Sequence, residues 1–214
     1  MELLKYLRFI LGAHWVVAMK EEKIKLWGSD FGVDYTNRNV IDPETRVNAF
    51  RSMVGDLKIN KILEVGSNVG HNLVALSRIG DFQLIGLEPS KYAVLHGRLD
   101  NKQAILEGNI FDIPFKDGYF DLVFTSGVLI HISLEDLPKA IDELYRVSGK
   151  YLLVIEYYAQ EETVIPYHGH NDVLWKRDFK KHFEERYPQL KIVKSGYWDK
   201  ADGFDRTHWW LFEK

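Results

Sequence analysis

Lys61-Ile-Leu-Glu-Val-Gly-Ser-Asn-Val-Gly70 is the stretch from which the rest of this chain can be read. Ile62 to Val65 is apolar except for one carboxylate and is closed by a glycine, the pattern of a β-strand buried on both faces. Gly66 and Gly70 let the backbone turn tightly and come close to a ligand. His71-Asn-Leu-Val-Ala-Leu-Ser-Arg78 follows with apolar positions at helical spacing. Strand, glycine turn and helix start together make a cradle for a nucleotide-like cofactor.

The acids indicate which cofactor. A dinucleotide site calls for G-x-G-x-x-G with the pyrophosphate at the helix N-terminus. Here the spacing is Glu64-x-Gly66-x-Asn68-x-Gly70, with a carboxylate two residues ahead of the first glycine. That carboxylate repels a pyrophosphate and attracts an ammonium, which suits the amino-acid group of S-adenosylmethionine. Gly66, Ser67, Asn68 and Gly70 are the expected loop contacts, with Asn68 a residue that tolerates left-handed backbone. Gln83 to Leu87 reads as a second strand, ending in Glu88-Pro89, where Glu88 is placed to accept from both ribose hydroxyls. Ala104 to Gly108 reads as a third, followed by Ile110, Phe111 and Asp112, with the carboxylate at the adenine amine and an apolar neighbour on the ring.

On these residues the chain resembles the class I S-adenosylmethionine-dependent methyltransferases from about Asn60 to Glu156, and Phe115-Lys-Asp-Gly-Tyr-Phe-Asp-Leu-Val-Phe124 looks like their fourth strand with its acidic lead-in. Three further stretches resemble the pseudaminic acid biosynthesis-associated methylases: Leu26 to Asn39, Thr125 to Ile132, and Ile165 to Asp172 with Leu174 to Phe179. The resemblance implies an α/β, Rossmann-like fold with a seven-stranded, mostly parallel sheet, helices on both faces and an N-terminal helical cap. In that plan the last strand typically runs antiparallel to the rest. It also implies S-adenosyl-L-methionine as cofactor and S-adenosyl-L-homocysteine as product, and it leaves the acceptor open.

The 214 residues, 46% hydrophobic and 14% aromatic, suffice for one sizeable core. We expect a single domain over 1–214, with 1–43 as a cap or lid and 44–214 as the core. A net charge of -3 with interspersed signs speaks against a nucleic-acid surface. The absence of cysteine excludes disulfides and thiolate zinc sites. Phe9 to Met19, the uncharged run near the N-terminus, is about half the ~20 residues a spanning helix needs. Leu3, Leu4, Leu7, Ile10 and Leu11 instead recur as one helical face for packing on the domain. A cytoplasmic location is the simplest expectation.

Beyond the core strands the reading places a loop at Gly28 to Pro43, helices near Glu44 to Asp56, Leu134 to Ser148 and Trp175 to Tyr187, a strand at Tyr151 to Ile155, and closing strands near Leu190 to Gly196 and Thr207 to Phe212. Ligands of such a sheet lie at the carboxyl ends of its strands.

Methyl transfer from a sulfonium is an in-line displacement, so alignment comes first and an alcohol acceptor benefits from a base. Ser126 and Gly127 after the fourth strand suit the methionyl chain. His131, Glu156, Tyr157 and His170 are the candidate catalytic groups, each also readable as a cap or loop anchor. Tyr167, His168, Asn171 and Arg177 offer a ring, polar contacts and a cation to the acceptor, while Trp27, Phe31 and Tyr35 supply the opposite wall. Arg38 is the expected partner of the cofactor's carboxylate. His168-x-His170 with Asp172 could alternatively bind a metal, though no metal site is expected. The acceptor is then a small polar metabolite, a sugar or nucleotide-sugar of surface-glycan synthesis being one candidate. Two other classes stay open: a noncatalytic S-adenosylmethionine-binding or assembly protein, and a nicotinamide-dependent sugar oxidoreductase.

Overall fold

A computed structural model describes residues 24–167 and 173–214 of the chain. The expected N-terminal helical face and the candidates His168, His170, Asn171 and Asp172 lie outside the described residues. Nine strands run in chain order: β1 Lys61–Val65, β2 Gln83–Glu88, β3 Ile105–Glu107, β4 Phe120–Ser126, β5 Ser148–Glu156, β6 Thr163–Val164, β7 Trp175–Lys176, β8 Lys191–Trp198 and β9 Thr207–Glu213. Among them lie helices α1 Asp30–Arg38, α2 Val47–Val54, α3 His71–Ser77, α4 Lys91–Leu99, α5 Leu137–Val147 and α6 Phe179–Arg186.

Seven strands form one sheet in the order β3-β2-β1-β4-β5-β9-β8. Pairings from β3 through β5 are parallel, and β9 runs antiparallel to both β5 and β8. This is the Rossmann-like α/β plan expected from the sequence. Strand alternation sorts the core into two layers. Leu63, Val65, Leu152, Val154, Trp210 and Phe212 pack with Ile141 and Leu144 of α5 and with Phe179 and Phe183 of α6. Ile62, Leu122, Phe124, Leu153 and Leu211 face the other way, onto Phe50 and Met53 of α2 and Leu73 and Leu76 of α3. The acid expected to lead into β4 does so mechanically: Asp121 Oδ2 accepts from the Asn60 and Lys61 amides, each at 2.8 Å, pinning the start of β4 to the start of β1.

Two elements differ from the sequence reading. The loop expected at Gly28 to Pro43 contains α1, started by Ser29, whose side chain accepts from the Phe31 amide. Trp27, Phe31 and Tyr35, four residues apart, lie along one helical stripe, and a Cβ on Gly32 would stand 1.8 Å from the Trp27 carbonyl oxygen. Gly32 therefore permits this tight approach, although a glycine and several asparagines weaken the helical signal. The helix expected from Trp175 begins only at Phe179, with Asp178 capping it through the Lys181 amide. Trp175 and Lys176 instead pair with Thr163 and Val164 as a short hairpin.

The turn after β4, Leu129–His131, is held by Glu156 at the end of β5. Its carboxylate is fully buried and accepts from the Thr125 hydroxyl and from the amides of Val128, Leu129 and Ile130. Truncation as Glu156→Ala leaves three amides without their acceptor, each worth about 1–3 kcal/mol when buried. We expect that variant to lose about 3 kcal/mol or more in urea unfolding and Glu156→Gln to lose less. Equal stability of all three proteins would show that the turn does not depend on this side chain.

Candidate active site

The carboxyl ends of β1, β2 and β4 open into a cavity of about 280 Å³, covered by α1 and by the loop segments around Tyr157 and Tyr167. Strand parity decides what enters it from β1. Glu64 sits two residues from Ile62 and shares its face, so it points toward the layer containing α3, where Asn72 awaits it. Asn72 Nδ2 donates to Glu64 Oε1 at 2.6 Å, and Arg46 Nη1 donates to Asn72 Oδ1 at 2.6 Å. Arg46 Nε reaches the Gly203 carbonyl, and its guanidinium lies 4.4 Å from the Phe204 ring centre. Glu64 is 1% exposed, and its Oε2 has no hydrogen-bond partner among the described residues. Burial pushes its carboxyl up to about 8, against the opposing pull of Asn72 and Arg46. Arg46 Nη2 likewise makes no bond among the described residues.

The turn after β1 takes the strained backbone its residues allow. Gly66, Asn68 and Gly70 all have positive φ, at 77°, 48° and 82°. The Gly66 amide donates to the Leu87 carbonyl at 2.7 Å, drawing the loop across the end of β2. Gly66, Ser67 and Asn68 line the cavity, and Ser67 Oγ is buried without a partner among the described residues. Gly70 caps α3 and lies against Gln103 and Ile105, away from the cavity. Glu88 accepts from the Asn68 and Ser90 amides, one on each oxygen and both at 2.9 Å. Burial raises it to about 7. Each oxygen keeps a lone pair, since a carboxylate offers about four acceptor sites.

Pro89, Ile110, Phe111, Ser126, Gly127, His131, Tyr157, Trp27, Tyr35 and Tyr167 also border the cavity, as their positions in sequence suggested. His131 is 8% exposed; its Nδ1 lies 2.5 Å from the Val173 carbonyl, which can only accept, so Nδ1 carries the proton and Nε2 the lone pair. Burial pulls its pKa down to about 4. Its ring meets Trp27 edge-on at 4.8 Å. The Tyr157 hydroxyl donates to Asp205 Oδ2 at 2.8 Å.

Besides Gly70, five expected site residues are placed differently. Asp112 is exposed and off the cavity, because the chain reverses through a bridge between Asn109 and Asp112 that brings Asn109 to the lining. Arg38 is exposed at the end of α1, over the Phe31, Tyr35 and Tyr167 rings, and Arg46 takes the inward position. Phe31 supports this ring cluster from behind Trp27 without lining the cavity. Glu156 is spent on the turn after β4. Arg177 is 1% exposed and off the cavity, paired with Glu162, with its Nη1 donating to the Ile132 carbonyl at 2.6 Å. Sequence reasoning missed Arg46 and Asn72. Asp42-Pro43 is a helix-start signal that sets Arg46 one residue before the buried stripe of α2, and Asn72 stands at the start of the helix following the glycine turn.

Residues 63–153 match the family model described as a methyltransferase domain. Phosphoethanolamine N-methyltransferase of Plasmodium falciparum is 24% identical over 183 residues, covering 81% of this chain and 62% of that enzyme. The chain thus spans less than two thirds of the length of this relative. Among solved structures, magnesium protoporphyrin IX methyltransferase from Synechocystis PCC 6803, with S-adenosylhomocysteine bound, aligns over 91% of this chain and 99% of its own at a TM-score of 0.68 and 15% identity. The Burkholderia thailandensis 1,6-didemethyltoxoflavin-N1-methyltransferase aligns over 94% and 89%, with a TM-score of 0.66 and 10% identity. Sheet order, glycine turn and the domain matched over residues 63–153 agree: the chain carries a methyltransferase domain on the fold of the class I S-adenosylmethionine-dependent methyltransferases.

Proposed function

We propose that this protein transfers a methyl group from S-adenosylmethionine to oxygen or nitrogen of a small polar metabolite. The observation that carries this reading is a pair of opposite, unfinished groups in one cavity: Glu64 Oε2, an acceptor without a donor, and Arg46 Nη2, a donor without an acceptor, among the described residues. An amino-acid zwitterion satisfies both, its ammonium at Glu64 and its carboxylate at Arg46. Arg46 replaces Arg38 in this role. Glu88 has acceptor capacity left for two ribose hydroxyls, and Ile110 and Phe111 offer apolar surface to the base, with Asn109 replacing Asp112 as the polar group there. Bound there, S-adenosylmethionine supplies an electrophilic methyl on a sulfonium.

The chain's own groups do the rest. Ser126 and Gly127 leave room for the methionyl chain, the latter with open space where a Cβ would stand. Trp27, Tyr35 and Tyr167 hold the acceptor and keep water from it. His131 is the proposed proton acceptor, neutral throughout the physiological range and oriented by Val173. Tyr157 is a positioning group for the acceptor, set by Asp205. The link to surface-glycan chemistry rests on the sequence resemblance alone. Incubation with a metabolite extract and methyl-labelled S-adenosylmethionine, followed by mass spectrometry of labelled products, tests transfer; cofactor binding without any labelled product would favour the noncatalytic reading.

For donor binding, Glu88→Ala and Arg46→Met should each weaken S-adenosylhomocysteine at least tenfold by calorimetry, about 1.4 kcal/mol. Arg38→Met should change it less than threefold. The reverse ranking of the two arginines would restore Arg38 to the carboxylate.

The raised Glu64 carboxyl gives a pH dependence of definite sign. Binding of an ammonium needs the carboxylate, so affinity for S-adenosylhomocysteine should rise from pH 6 to about pH 8 with proton release, then level off, and rise clearly less over that window in Glu64→Gln, where only Glu88 still titrates. For the unliganded protein the sign is opposite. A carboxyl raised from 4.5 to about 8 contributes its full stability below the lower value and loses it as pH climbs through the higher. Unfolding free energy should therefore fall across this window in the wild type and less in Glu64→Gln. A pH-independent affinity in the wild type would remove the ammonium from Glu64.

A further inference from the structure

The part of the cavity not used by the donor is aromatic and acidic. Trp27 meets Tyr35 edge-on at 5.1 Å and His131 at 4.8 Å, and His131 lies 5.7 Å from Tyr167. Tyr157 completes the wall from the end of β5. These rings already accommodate a cation from the chain itself: the Arg38 guanidinium lies 5.4 Å from the Tyr35 ring centre and 5.8 Å from that of Tyr167. Four carboxylates, Glu64, Glu88, Asp136 and Asp205, line the cavity against one guanidinium, Arg46, among the described residues. With Glu64, Glu88 and Arg46 taken by the donor, and Asp136 already accepting from the Ser133 hydroxyl, the charge left for the acceptor is that of Asp205. Asp205 is at the rim, its side chain 63% exposed, 3.6 Å from Lys200 Nζ on one oxygen and accepting from Tyr157 on the other. Beside it Thr207, the first residue of β9, lines the same cavity while 93% buried, and its Oγ1 has no partner among the described residues. A hydroxyl left in this state is a hydrogen-bonding group waiting for a ligand.

Among the described residues an anionic acceptor finds little here. Arg177 is buried off the cavity, Arg38 lies outside it, and Arg46 is engaged by the donor in the reading above. An ammonium finds ring faces, a carboxylate and a hydroxyl acceptor together. Resting on the methyltransferase reading of this site, we propose that the methyl acceptor is a small amine, drawn in as its ammonium form and methylated on nitrogen, with Asp205, Thr207, Tyr157 and the Trp27 ring as its recognition groups. The ammonium first gives one proton to solvent. Its lone pair then forms the N–C bond while the S–C bond breaks with its electron pair on sulfur; the positive charge leaves sulfur and appears on nitrogen.

Glucosamine and glucuronate present the same ring with opposite charge and make a clean pair of probes. They are titrated by calorimetry at low ionic strength into the full chain saturated with S-adenosylhomocysteine, whose own binding is the control for a folded donor site. Glucosamine should bind at least tenfold more tightly than glucuronate, and Asp205→Asn and Trp27→Leu should each lower glucosamine affinity at least threefold. Equal affinities, a preference for glucuronate, binding of neither sugar, or indifference to both substitutions would overturn the amine assignment with the donor site intact. Failure of S-adenosylhomocysteine itself to bind would instead overturn the donor reading and this inference with it.

Discussion

Burial of one carboxylate at the end of the central strand is the constraint on which the site depends. Glu64 stands on a strand enclosed on both faces and is 1% exposed. A buried carboxylate is costly unless it is paired and hydrogen-bonded. The fold meets that cost only in part, through Asn72 and, behind it, Arg46. These two residues belong to α3 and to the turn before α2, so satisfying Glu64 also fixes how both helices lie on the sheet.

The cap is fastened to this same region. Asn68 adopts positive φ in the glycine turn, its amide donates to Glu88, and its side-chain oxygen accepts from the Thr36 hydroxyl at 3.0 Å. One residue thereby joins β1, β2 and α1. The glycine turn, the end of β2 and α1 are thus joined through hydrogen bonds on a single side chain and its own amide. On the other side, His131 holds the Val173 carbonyl and Arg177 holds that of Ile132, so the segment bearing the β6–β7 hairpin is tied to the turn after β4.

Sheet and glycine turn were legible in the sequence because their signals are local. A buried parallel strand shows as an apolar run, a positive φ shows as glycine or asparagine, and the two occur together at Ile62 to Gly70. The misplaced residues depend on direction after a turn, which no local pattern records. Asp112 looked aligned with Glu64 and Glu88, yet the bridge from Asn109 to Asp112 turns its side chain outward. Arg38 and Arg46 are eight positions apart in a polar stretch. Only the docking of α1 and the turn Pro43–Arg46 decides that one spreads over exposed rings and the other enters the cavity. Helix α1 escaped notice because Gly32, which permits its close packing, is also the residue that argues against a helix.

Glu64, Glu88 and Glu156 show how a shared motif separates into different uses. All three end parallel strands, all three are buried, and burial raises all three. What differs is the number of donors each has already bound. Glu156 takes a hydroxyl and three amides, twice the donors that Glu88 takes, and this makes it part of the scaffold. Glu88 takes two amides, one per oxygen, and keeps half its capacity. Glu64 takes one side-chain amide and keeps an entire oxygen. Unused acceptor capacity, more than position at a strand end or a shifted pKa, marks which acids face a ligand. That criterion supports Glu64 and Glu88 as the ligand-facing acids of the proposed site and leaves Glu156 to the scaffold.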